Sequence, residues 1–219
     1  MVDGEGTTVQ VTLDEQQLAD WPHEYRPGIG RVLLMLHGTG GNEQEILALA
    51  GALDPTAGVL APRGRVTEGG MNRWFRRFAE GSFDVDDVVV RAAELAAFVS
   101  WARVHYGIED MPITAVGFSN GANIALAVAQ LHSEVLRAVI AFSGMYPFAD
   151  RVVEGPLEGS HLLVSNGESD AMAPLPSVER LVAELTRKGA DVTVTRREGT
   201  HGIHPAELAA AVTWLAARP

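Results

Sequence analysis

The sequence predicts an α/β fold: a mostly parallel central sheet with helices on both faces. Apolar runs of strand length alternate with helical patterns after residue 30, which implies strands joined by helical crossovers. The chain has 219 residues, 47% of them hydrophobic, an ordinary size for one α/β domain with a sizeable core. No linker, repeat or low-complexity block interrupts it, so residues 1–219 read as a single domain.

In chain order, "RVLLMLHG" (31–38) reads as a buried strand ending in a glycine-rich loop. "NEQEILALAGAL" (42–53) reads as a short helix and "GVLAPRG" (58–64) as a second strand. Residues 64–83 show no clear period. A long helix follows, with Asp84 as its N-cap and Asp86 and Asp87 favourable in its first turn. Its apolar stripe runs through Val85, Val88, Ala92, Leu95, Val99 and Ala102, and Gly107 suits its stop. "MPITAVGFS" (111–119), "LRAVIAFSG" (136–144) and "HLLVSNG" (161–167) read as strands, with a helix over 120–132 between the first two. A helix over 176–188 ends at Gly189. "DVTVTRRE" (191–198) alternates like an edge strand, and a final helix over 204–218 has Pro205 at its first position. "TTVQVTL" near the N-terminus alternates too, and would add an antiparallel edge strand.

Composition excludes several classes. The net charge of −11 repels phosphate backbones and anionic lipid, so nucleic-acid binding is not expected. Mean hydropathy is +0.07, and no apolar run approaches the roughly 18 to 20 residues of a spanning helix. "MVDGEGTTVQ" lacks the basic and apolar regions of a signal peptide, which favours the cytoplasm. With no cysteine there is no disulfide framework, thiolate metal site or cysteine nucleophile.

The chemistry starts at "GFSNGANIA", from Gly117. Gly-x-Ser-x-Gly at a strand-to-helix junction makes a tight turn that pushes the Ser119 oxygen above the sheet. Glycine is needed at 117 and 121 to avoid neighbouring backbone, and the helix N-terminus favours a developing negative oxygen. The pattern resembles the nucleophile elbow of α/β-hydrolases; the alternative is a chance turn in a glycine-rich chain. Partners in the order Ser, Asp, His favour the catalytic reading. Serine needs a base. His201, in "EGTHGIHP" after the edge strand, is the choice; His204, before Pro205, better suits a helix cap. The base needs a carboxylate. Asp170, in "NGESDAMAP", is favoured over Asp150, and Glu168 reads as a turn residue. The oxyanion needs two N–H donors. Asn120 supplies one and Thr39, in "HGTGGNE", the other, with His37 shaping that loop.

Four segments, "LHGTGGNE", "GFSNGA", "NGESDAMAP" and "GTHGIHP", resemble the small phospholipase/carboxylesterase family of α/β-hydrolases, from about residue 31 to the end. "PRGRVTEGGMNRWFRRFAEGSFDVDD" resembles a bacterial branch that includes hydrolases linked to quinone and catechol stress. The resemblance implies a carboxylesterase with Ser119, Asp170 and His201 as triad, acting on esters and sometimes thioesters without metal or cofactor. The stretch before Asp170's strand is too short for a helical lid. Many members carry Gln-Gly-Gly after the serine; this chain has Asn-Gly-Ala, which keeps the backbone N–H. Alternatives are a thioesterase, a lysophospholipase-like hydrolase, or a weakly active ligand-binding protein on the same fold. The expected partner is a small ester, and a homodimer stays an open alternative.

"NRWFRRF" (72–78) has two readings. A helical turn would put Arg73, Arg76 and Arg77 on one face and Trp74, Phe75 and Phe78 on another. Either the aromatics pack while the arginines pair with Glu80, Asp84 or Asp87, or the segment walls the substrate pocket and an arginine meets a substrate carboxylate.

Overall fold

The structure is a computed structural model describing residues 13–218. A short helix α1 (Glu15–Ala19) opens it, capped at Asp14, whose side chain accepts from the Gln17 N–H while Gln17 reaches back to the Asp14 N–H. Strand β1 (His23–Arg26) and strand β2 (Val32–Leu36) follow, then helix α2 (Leu47–Leu53) and strand β3 (Gly58–Pro62). Four short strands come next: β4 (Val66–Glu68), β5 (Met71–Arg73), β6 (Arg77–Ala79) and β7 (Ser82–Phe83). The remaining elements alternate: α3 (Val85–His105), β8 (Ile113–Phe118), α4 (Asn120–Leu131), β9 (Ala138–Phe142), β10 (His161–Gly167), α5 (Leu175–Arg187), β11 (Asp191–Arg197) and α6 (Pro205–Ala216).

Seven of the described strands form one sheet in the order β1-β3-β2-β8-β9-β10-β11. Every neighbouring pair is parallel except β1 with β3. Burial explains why β2 reads "VLLML" without alternation. Val32, Leu34 and Leu36 join the apolar cluster under α1, α3, α4 and α5, whereas Leu33 and Met35 join the cluster under α2 and α6. Both faces are covered, so both side-chain sets are apolar.

The caps read from sequence are present: Asp84 accepts from the Asp87 N–H, and Gly107 adopts φ 64° after α3. Two readings need correction. The segment at 42–53 becomes helical only at Leu47. The Asn42 side chain accepts from the Gln44 and Glu45 N–H groups at 2.9 and 3.0 Å and holds those residues in a turn instead. "NRWFRRF" makes no helical turn. Gly69 and Gly70, at φ 57° and 81°, close a two-residue hairpin between β4 and β5, a turn that needs positive φ at both positions. Gly81, φ 72°, closes β6 on β7, so Arg73 and Arg77 fall on different strands. The antiparallel strand at the sheet edge is β1; the segment expected there, "TTVQVTL", lies outside the described residues apart from Leu13.

Between β9 and β10 the chain runs through turns without a helix, as the reading without a lid expects. No helix of the described residues is long and apolar enough to cross a membrane.

Candidate active site

The site is built at the C-terminal ends of β2, β8, β9, β10 and β11. Ser119 lies between β8 and α4 with φ 55° and ψ −117°, a conformation that costs a non-glycine residue about 1–3 kcal/mol. Its N–H donates to the Phe142 carbonyl at 2.9 Å, and its own carbonyl accepts from the Asn123 N–H at 3.0 Å. The two glycines are sterically required. A Cβ at Gly117 would run into the Gly121 carbonyl, and one at Gly121 into the Leu36 carbonyl. Gly121→Ala therefore forces backbone apart, and a loss of about 3 kcal/mol in denaturant unfolding is expected. A variant as stable as wild type would show that the elbow can relax.

Asp170 and His201 meet directly. His201 Nδ1 lies 2.8 Å from Asp170 Oδ2, with the Asp170 side chain 0% and the His201 side chain 19% exposed. The other carboxylate oxygen, Oδ1, accepts from the Met172 and Ala173 N–H groups at 2.9 and 3.1 Å. With Nδ1–H donated to an ionised carboxylate, Nε2 keeps its lone pair. The His201 ring packs on Phe118, centroids 5.1 Å apart, next to Ser119. Asp150 lies at the surface, 3.4 Å from Arg180.

His204 caps α6. Its Nδ1 accepts from the Ala206 N–H at 3.2 Å, and its own N–H donates to Glu207 Oε2 at 2.8 Å. His204→Ala should cost about 1 kcal/mol of stability and leave turnover of any ester substrate intact. A variant that folds but is inactive would make His204 part of the chemistry.

Thr39 and Asn120 line one small cavity with Ser119, together with Arg73, Asn123 and Met172, about 20 Å³ in volume. On its other side Thr39 borders a groove of about 430 Å³ walled by Gly40, Ile46 and Phe118. Among the described residues the Thr39 and Asn120 N–H groups make no hydrogen bond. His37 is a shaping residue: its Nδ1–H donates to the Gly38 carbonyl at 2.7 Å and its Nε2 accepts from the Gly64 N–H at 2.9 Å. Burial pushes its pKa down, keeping the ring neutral.

The basic-aromatic cluster divides. Trp74 and Phe75 are buried in the core. Arg76 points outward to Asp84 and Asp87, and Arg77 pairs with Glu68 and Glu80. Of these five, only Arg73 lines the cavity with Ser119.

Other residues that shape the site escaped the sequence reading. Ser143 Oγ donates to the Gly202 carbonyl at 3.2 Å and accepts from the Gly202 N–H at 3.3 Å, tying the end of β9 to the loop that carries His201. Arg197 donates to Glu207 at 2.6 Å and to the Thr200 carbonyl at 2.8 Å. Glu207 also accepts from Ser165 at 2.8 Å. The available signal was positional: Ser143 ends a strand beside the elbow, and Glu207 sits three residues after a helix cap.

A mostly parallel sheet with a strained serine between its central strand and a helix, and a buried Asp paired with a His on the loops beyond, defines an α/β-hydrolase. The family model described as Phospholipase/Carboxylesterase matches residues 29–218, and the chain belongs to that family. The protein MhqD of Bacillus subtilis (strain 168) is 38% identical over 88% of this chain and 96% of its own length. The Bacillus cereus carboxylesterase structure superposes with TM-score 0.87 at 35% identity, covering 92% of this chain and 96% of that one. A carboxylesterase from Mesorhizobium loti gives TM-score 0.82 at 30% identity, covering 90% and 95%. These relatives support a hydrolase of the ester type.

Proposed function

We propose that the chain is a serine carboxylesterase acting on small carboxylic esters through an acyl-enzyme. The observation that carries the reading is the 2.8 Å contact between His201 and the fully buried Asp170 carboxylate. It fixes the imidazole in the tautomer that can accept a proton at Nε2. Ser119 Oγ attacks the ester carbonyl while His201 takes its proton. The carbonyl oxygen becomes an oxyanion held by the Thr39 and Asn120 N–H groups. Collapse of the tetrahedral intermediate breaks the bond to the alcohol oxygen, which leaves with the proton from His201. Water, deprotonated by His201, attacks the acyl-enzyme; the acid departs and Ser119 recovers its proton. The Asp170 carboxylate stays ionised and stabilises the imidazolium in both halves.

The test is pre-steady-state hydrolysis of an activated acetate ester. An alcohol burst of about one equivalent per chain, followed by slower turnover, is expected of an acyl-enzyme. A chain that binds such esters without a burst or turnover is a binding protein on this fold. A panel varying the acid and alcohol parts, thioesters included, then defines the substrate class.

A further inference from the structure

We infer that Asn72, Arg73 and Trp74, where β5 leaves its hairpin, are positioning residues for the oxyanion hole, clamping both of its donor-bearing residues. The inference rests on the esterase reading. These three consecutive residues hold the Thr39 loop and Asn120 by side chain and backbone alike. The Asn72 carbonyl accepts from the Gly40 N–H at 2.9 Å, and Asn72 Nδ2 donates to the Gly41 carbonyl at 3.0 Å. Arg73 Nη1 donates to Thr39 Oγ1 at 2.9 Å. The Trp74 N–H donates to Asn120 Oδ1 at 2.7 Å, and Trp74 Nε1 donates to the His37 carbonyl at 2.8 Å.

Thr39 and Asn120 are 81 residues apart (120 − 39), one on the loop after β2 and the other at the start of α4, and two N–H groups form one oxyanion site only if their spacing is fixed. The Thr39 loop is rich in glycine, with Gly38, Gly40 and Gly41 around it, so its own backbone does little to fix that spacing. Residues 72–74 supply the bridge. They are fixed in turn: Arg73 lies 3.2 Å from Glu68 and donates to the Phe75 carbonyl at 3.3 Å. The Trp74 ring is buried on His37, centroids 5.1 Å apart. Arg73 is buried, and a Cβ at Gly64 would collide with the Arg73 carbonyl, so the bridge also packs directly on the segment after β3. The side chain of Asn120 thereby has a role of its own: its Oδ1 is where the bridge attaches to the elbow.

The test uses Thr39→Val, which removes the hydroxyl that Arg73 holds but keeps the N–H and the side-chain shape, with Thr39→Ser, Arg73→Met and the Thr39→Val/Arg73→Met double variant. Rates are measured on a neutral activated acetate ester and on an analogue bearing a carboxylate, together with the affinity of a trifluoromethyl ketone that forms a tetrahedral adduct. Thr39→Val and Arg73→Met should each lower kcat about 10- to 100-fold, with KM changed by less than about 3-fold. Ketone affinity should fall in parallel, on both esters the loss should be equal, and the double variant should fall no further than the worse single one. Thr39→Ser should recover most of the rate that Thr39→Val loses. If Arg73→Met does not fold, the valine–serine pair carries the test alone. Unchanged kcat in Thr39→Val, or losses that multiply in the double variant, would overturn the inference. A loss confined to the carboxylate ester would overturn it too, making Arg73 a substrate contact. A wild type with neither turnover nor covalent labelling of Ser119 would instead sink the esterase reading, and this inference with it.

Discussion

Ser119→Ala should lower kcat by on the order of 10⁴- to 10⁶-fold, with a residual rate still above that in water if Thr39 and Asn120 hold the oxyanion as proposed. Loss of the hydroxyl removes the bond-forming atom, whereas the Ala side chain can occupy the elbow at the cost of the same positive φ. Stability should therefore change little while the rate collapses. A fluorophosphonate should label Ser119, and mass analysis of the labelled peptide reads the site directly. Ser143 is the informative rival because it lines the same cavity; Ser165 is buried and bonded to Glu207. A label on either of these would overturn the assignment of the nucleophile.

His201→Ala should be nearly as damaging as loss of the serine, since the hydroxyl then has no acceptor and the leaving alcohol no donor. Asp170→Asn keeps the geometry but lets the side-chain amide donate toward the ring, favouring the wrong tautomer; a loss of about 10⁴-fold in kcat is expected. A His204→Ala variant that loses more activity than His201→Ala would contradict the assignment of the base.

What the sequence made legible was set by local sterics and local hydrogen bonds. Gly117 and Gly121 are there because any Cβ collides with backbone, so the elbow could be read from its spacing. Asp84 and Gly107 mark the ends of α3 for equally local reasons. The hairpins at 66–83 were hidden because the three- and four-residue spacing of Arg73, Arg76 and Arg77 imitates a helix. The decisive residues there, Gly69, Gly70 and Gly81, are turn formers whose meaning depends on what flanks them. Asn42 hid the true start of α2 in the same way. Contacts such as Ser143 with Gly202, or Arg73 with Thr39, carry no spacing signal, since their partners are close only after the sheet is ordered.

The strand order has a kinetic consequence. Each parallel pair closes a crossover before it gains its ladder, and such non-local pairing makes folding slow. Ser119, His201, Asp170, Thr39 and Asn120, the residues proposed for the chemistry, follow the ends of β2, β8, β10 and β11, four strands of one seven-stranded sheet. They come together only once the five neighbouring strands from β2 to β11 lie side by side. During refolding from denaturant, recovery of hydrolysis should therefore lag behind the burial of Trp74 and the other core aromatics, and the regain of activity should report the last strand to dock.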